Sequence, residues 1–131
     1  MFPCVPCGNP ENQVHQMLSG IHDGRFQIVW LDIEIYKWNE NIETNRNFIR
    51  GLVNELKSSE IRFGIYTSIR SWTAIVGDWT ELSNEMLWYS QWNGAASFEG
   101  FKPFGGWTKP SVKQYSGNQR LCNIDVDFDF S

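Results

Sequence analysis

Basic residues are few and scattered. Lys and Arg number 11 against 15 Asp and Glu, the formal charge is -4, and no two basic residues are adjacent. A nucleic-acid binder neutralises phosphates with clustered Lys and Arg, so that class is disfavoured. No apolar run approaches the roughly 20 residues that span a bilayer, and residues 1–8 lack the basic start and apolar stretch of a signal peptide. Read literally, the chain is soluble, unexported and free of membrane contact. There are only two histidines, His15 and His22, neither in an HExxH spacing, and both are expected at the surface. GxSxG and GxxxxGK are absent. Zinc hydrolases, serine esterases and nucleotide enzymes are thus left without their residues, and neither a metal nor a cofactor is expected.

Cysteine is also scarce, at three, and the number is odd. Cys4 and Cys7 form a CxxC pair while Cys122 stands alone near the other end. No second CxxC or His pair completes a zinc site, and a redox CxxC normally opens a helix after a strand. A disulfide framework fits better, with Cys4 and Cys7 paired to each other or outward. Cys122 is then expected to be free in this chain, its mate lying in a segment preceding residue 1.

What is abundant is aromatic surface, including seven Trp. Such side chains either fill a core or stack on sugar rings. Asn9 as cap, Pro10 at the first position and Val14, Met17, Leu18 and Ile21 at helical spacing predict a helix ending near Gly20. A strand is expected over 27–36, a second helix over 41–58, a strand over 62–67 and a helical segment over 71–76. Short strands follow over 86–92, 111–115 and 124–130, separated by Gly-rich loops. This alternation argues for one α/β domain with parallel strands. A closed eight-unit barrel takes roughly 250 residues, so the fold is either small and open or lacks N-terminal units.

The chemistry concentrates in Trp30-Leu31-Asp32-Ile33-Glu34-Ile35-Tyr36. Alternation along a strand puts Val29, Leu31, Ile33 and Ile35 on one face and Trp30, Asp32, Glu34 and Tyr36 on the other. Two neighbouring carboxylates on an apolar strand push at least one pKa upward. A pair of this kind keeps a proton for a general acid, as glycosidases require. The competing reading is that the two acids pair with Lys or Arg, or bind a metal. By its position near the strand end, Glu34 is the acid expected to hold the proton. Asp125, Asp127 and Asp129 form a second acidic alternation, read as a solvated strand face, a metal site or part of the catalytic set.

Phe2-Pro3-Cys4-x-x-Cys7, Trp30-Leu31-Asp32-x-Glu34, Gly64-Ile65-Tyr66-Thr67-Ser68, Leu87-Trp88-Tyr89, Gly106-Trp107, Lys113-Gln114-Tyr115 and Val126-Asp127, in this order, resemble the glycoside hydrolase family 25 lysozymes. The resemblance covers essentially all 131 residues, and the FPCxxC version resembles secreted members from protists and nematodes. It implies an irregular, TIM-like (β/α) barrel of which residues 1–131 form the C-terminal two thirds, lacking the N-terminal strand and helix units and their further catalytic Asp. It also implies a secreted, lysosomal or phagosomal monomer that cuts the β-1,4 bond between N-acetylmuramic acid and N-acetylglucosamine in bacterial peptidoglycan, without cofactor. Glu34 matches the proton donor. Asp32 matches the partner carboxylate that orients the substrate's 2-acetamido group, and Asp127 the acid of the final strand. Asp125 and Asp129 fall where other residue types are common, so Asp129 is expected to matter little. Tyr36, Tyr66, Trp88 and Gln114 fall on groove-lining positions. The alternative is an inactive fragment that only binds glycan.

Overall fold

The structure, a computed structural model, describes residues 1–19, 28–91, 94, 96–121 and 124–130; for 115–121, 124–128 and 130 it describes the backbone. After a short 3-10 turn (Val5–Cys7), helix α1 (Pro10–Ser19) starts where Asn9 Oδ1 accepts the Asn12 N–H at 2.8 Å. Strand β1 (Val29–Ile33) leads through a turn to α2 (Ile42–Ser58), whose first turn is capped by Asn41 Oδ1 on the Thr44 N–H at 3.0 Å. Strand β2 (Phe63–Thr67), helix α3 (Ile69–Val76) and strands β3 (Met86–Ser90), β4 (Val112–Leu121) and β5 (Ile124–Phe130) follow. Each cap satisfies an orphan backbone donor at a helix start. Helix α3 stops at Gly77, whose φ of 68° suits a residue without Cβ.

The five strands form one sheet in chain order. β1 to β4 run parallel, and β5 returns antiparallel to β4. Among the described residues β1 and β5 do not pair with each other, so the sheet is open. Its helix-covered face is apolar. Leu31, Ile33, Ile65 and Leu87 pack with Ile49, Leu52 and Leu56 of α2 and Trp72 and Val76 of α3 into a single buried cluster. Burial of such side chains supplies about 1.5–3 kcal/mol each. The Trp side chains divide between the two faces of the sheet. Trp72, Trp79 and Trp107 are buried against one another, with ring centroids 5.8 and 4.9 Å from Trp72, while Trp30 and Trp88 stand on the opposite face of the sheet.

Three expectations need correction. The strand over 27–36 stops at Ile33, because the Glu34 carbonyl accepts both the Tyr36 N–H (2.9 Å) and the Trp38 indole N–H (2.6 Å), which turns the chain. Ile35 is therefore 56% exposed instead of continuing the buried face. Helix α3 starts two residues ahead of the expected 71, since Ser68 Oγ accepts the Ser71 N–H at 3.1 Å. β4 also runs past 115 to Leu121, drawn on by its antiparallel pairing with β5. Ile21, His22, Gln27 and Trp92 lie outside the described residues.

Asn45 joins the helical layer at its upper corner. It is 1% exposed, and its amide donates to the carbonyls of Asn39 (2.8 Å) and Ile75 (2.9 Å) while its oxygen accepts the Asn39 N–H at 2.9 Å. Removing it strands the buried Ile75 carbonyl, costly to leave without a partner, and the part-buried carbonyl and N–H of Asn39. Asn45→Ala is expected to lower unfolding stability by about 2 kcal/mol or more, against a change within about 0.5 kcal/mol for the exposed Glu40→Ala. Urea denaturation of both variants checks this.

Candidate active site

The uncovered face of the sheet is built by register. Asp32 on β1 lies beside Tyr66 on β2, which lies beside Trp88 on β3. One residue row below, Trp30 pairs with Gly64, and a Cβ at Gly64 would sit 2.4 Å from the Trp30 ring. Glycine is thus required there for the indole to lie across β2. Trp88 meets Trp30 and Tyr66 edge-on, with centroids 5.4 and 4.8 Å away. Below them Tyr66 donates its hydroxyl to Gln114 Oε1 at 2.7 Å, and both residues are buried.

These side chains line a cleft of about 360 Å³ together with Glu34, Tyr36, Met1 and Phe2. Six of the residues singled out in the sequence, Asp32, Glu34, Tyr36, Tyr66, Trp88 and Gln114, meet in that one cleft. The walls are aromatic and the polar groups few, the usual make-up of a small-molecule or sugar site. Asp32 is inside the strand and Glu34 just beyond its end, so one carboxyl lies in the floor and the other at the lip.

Among the described residues no Lys or Arg pairs with either acid. Asp32 Oδ1 is buried without a hydrogen-bond partner. Burial first, then the hydrogen bond to Glu34 and the Glu34 charge, push the Asp32 carboxyl up to about 8, with the amine of Met1 acting weakly the other way. Asp32 lies inside the sheet, and its burial is the first cause of that rise. The pair thus holds a proton at neutral pH, as two close carboxyls in an apolar setting must. The Glu34 charge also raises the Tyr36 phenol, which stays a donor at the rim.

Sequence reasoning passed over Asp129. Its Oδ1 accepts the Trp88 indole N–H at 2.9 Å, so this acid of β5 holds a wall of the cleft. The spacing of the three acids alone gave no sign of which reaches Trp88. The side chain of Asp127 lies outside the described residues, as does Cys122. Cys4 and Cys7 are disulfide-bonded to each other, with Cα atoms 5.3 Å apart. Phe2, two residues before Cys4, packs edge-on against Tyr36 at 6.3 Å, and the Met1 carbonyl accepts the Asp32 N–H at 2.9 Å.

The carboxyl pair thus sits toward the carboxyl ends of the parallel strands of an open α/β sheet. The family described as "Lysozyme-like protein 1" matches residues 1–115, and the chain belongs to this lysozyme-like family. It is 42% identical over 134 residues to "Probable GH family 25 lysozyme 5" of Dictyostelium discoideum, covering 97% of this chain and 61% of the relative. It is 35% identical over 136 residues to "Lysozyme-like protein 5" of Caenorhabditis elegans, covering 99% and 63%. The chain thus spans about three fifths of the length of the curated relatives it matches. Its fold matches a bacterial lysozyme from Streptomyces coelicolor with a TM-score of 0.78 at 21% identity, over 98% of this chain and 63% of the other. The muramidase of Acremonium alcalophilum gives 0.74 at 21% identity, over 98% and 64%. The mixed α/β fold with a parallel sheet expected from sequence is the fold of these proteins.

A carboxyl whose pKa is higher folded than unfolded binds its proton more tightly in the native state. Its contribution to stability is full below the ordinary value of 3.8 and is lost as pH rises through about 8. Asp32→Asn keeps the shape of the neutral acid but cannot ionise. Relative to the parent, the variant is expected to gain stability steadily between pH 4 and pH 9 in urea denaturation; a constant difference would contradict the buried proton.

Proposed function

We propose that the protein is a muramidase, hydrolysing the β-1,4 bond between N-acetylmuramic acid and N-acetylglucosamine in bacterial peptidoglycan. The observation that carries this reading is the proton-holding Asp32–Glu34 pair in a cleft walled by Trp30, Tyr66 and Trp88. A saccharide lies against the aromatic faces, and its polar edge meets Gln114 and Tyr36. Glu34, at the lip, delivers the proton to the leaving glycosidic oxygen. Asp32, beneath it, keeps that proton in the pair until the sugar arrives and then faces the substrate's 2-acetamido group, whose oxygen supports the developing positive charge at the anomeric carbon. Asp127 is the remaining acid assigned to the reaction.

The Cys4–Cys7 disulfide supports work in an oxidising compartment, that is, a secreted, lysosomal or phagosomal protein acting as a monomer on bacterial walls. Walls are themselves often anionic, and a net charge of -4 gives no attraction to them.

Glu34→Gln removes the deliverable proton while preserving shape. Turnover is expected to fall roughly a hundredfold to ten-thousandfold, with glycan binding nearly unchanged. A turbidity assay on bacterial walls alongside a wall-pelleting assay separates the outcomes. Equal clearance by parent and variant would refute the assignment of the acid. Pelleting by both without clearance by either would replace turnover with glycan binding alone.

A further inference from the structure

The catalytic reading leaves a second cleft unused. It has a volume of about 310 Å³ and opens where β2 runs into α3, between Arg70 at the helix start and Lys102. Helix α3 has eight residues, and Ser68 Oγ caps only the Ser71 N–H. The first backbone donors of the helix, at Ile69 and Arg70, have no partner within it, as at any helix start. Among the described residues neither Arg70 nor Lys102 enters an ion pair.

A second observation points to a ligand. Among the described residues, three side-chain polar atoms are buried without a hydrogen-bond partner: one is Asp32 Oδ1 in the catalytic cleft, and the other two, Tyr89 Oη and Gln91 Oε1, belong to residues lining this second cleft. Tyr89 is 2% exposed. Burying a hydroxyl or an amide oxygen unpaired is costly, and the two atoms offer complementary chemistry, a donor and an acceptor. The ammonium of the buried Lys113 lies over the Tyr89 ring, 5.9 Å from its centroid. Positive charge, free helix N–H groups and a phenol donor suit an oxyanion. The Gln91 oxygen suits an adjacent N–H.

We propose that this cleft binds the carboxylate of a short peptide, with the helix start, Arg70, Lys102 and the Tyr89 hydroxyl on the carboxylate and the Gln91 oxygen on the neighbouring amide N–H. A phosphate offers no N–H for Gln91, which is why the peptide is favoured. Both clefts open at the carboxyl ends of β2 and β3, on opposite faces, Tyr66 and Trp88 lining one and Ser68 and Tyr89 the other. That this peptide is a side branch of the wall glycan rests on the muramidase reading; the carboxylate site does not.

Backbone amide NMR of the protein titrated with N-acetyl-D-alanine, N-acetyl-D-alaninamide and inorganic phosphate tests the site without glycan or turnover, so its failure leaves the muramidase reading untouched. The expected result is saturable shifts at Ile69 and Arg70 with N-acetyl-D-alanine, none with the uncharged amide, and about tenfold weaker binding in Tyr89→Phe and in Arg70→Gln. Without ligand, Tyr89→Phe is expected to unfold at a higher urea concentration than the parent, since it deletes an unpaired buried hydroxyl. No saturation, an equal response to the uncharged amide, or a response to phosphate alone would overturn the proposal. So would a Tyr89→Phe variant less stable than its parent, which would mean that the protein itself satisfies the hydroxyl.

Discussion

A carboxyl that pairs with no Lys or Arg among the described residues holds the centre of this molecule. Asp32 stands in the parallel sheet, between the aromatic row of Trp30, Tyr66 and Trp88 and the lip residue Glu34, and one of its oxygens has no partner. Had an Arg or Lys reached it, the acid would be ionised and the site a buried ion pair, whose effect is structural. The missing cation leaves the proton as the neutralising partner, and a proton held near neutral pH is what acid catalysis of glycoside cleavage requires. The aromatic surround therefore does two things at once: it offers a face to a sugar ring, and it withholds the solvation that would ionise Asp32.

The rest of the fold keeps this arrangement in register. The floor depends on Gly64, which lets Trp30 lie across β2. The wall depends on Trp88, anchored by Asp129 from β5. The strand ends depend on the helical layer behind, where Asn45 ties the start of α2 to the end of α3, and Thr67 Oγ1 donates to the Ile33 carbonyl at 2.7 Å across the tips of β1 and β2. Glu34 is aimed by the turn that its own carbonyl makes with Tyr36 and Trp38. A site on strand ends backed by such contacts is positioned more tightly than one carried on loops.

Much of this was legible in the sequence because the signals were local. The stripe of Phe48, Ile49, Leu52, Val53 and Leu56 at helical spacing gave α2, and alternation from Val29 to Ile33 gave the strand and its two acids on the cleft face. What escaped depended on contacts between distant segments. The strand was read through Tyr36 because β-branched and aromatic composition continues there, whereas the turn is set by bonds to the Glu34 carbonyl. The contact of Asp129 with Trp88 was not legible, because three alternating acids look alike until one of them meets the indole. Nor is the burial that raises the Asp32 carboxyl a property of spacing.

The protonation of Asp32 is the point on which the account turns, and it can be observed directly. Carbon-13 NMR of the side-chain carboxyls, with the Asp32 resonance assigned by its loss in Asp32→Asn, follows the titration of that single group. The account predicts that it remains protonated at pH 7 and titrates near 8; a carboxyl already ionised at pH 6, titrating near the ordinary aspartate value of about 4, would contradict it.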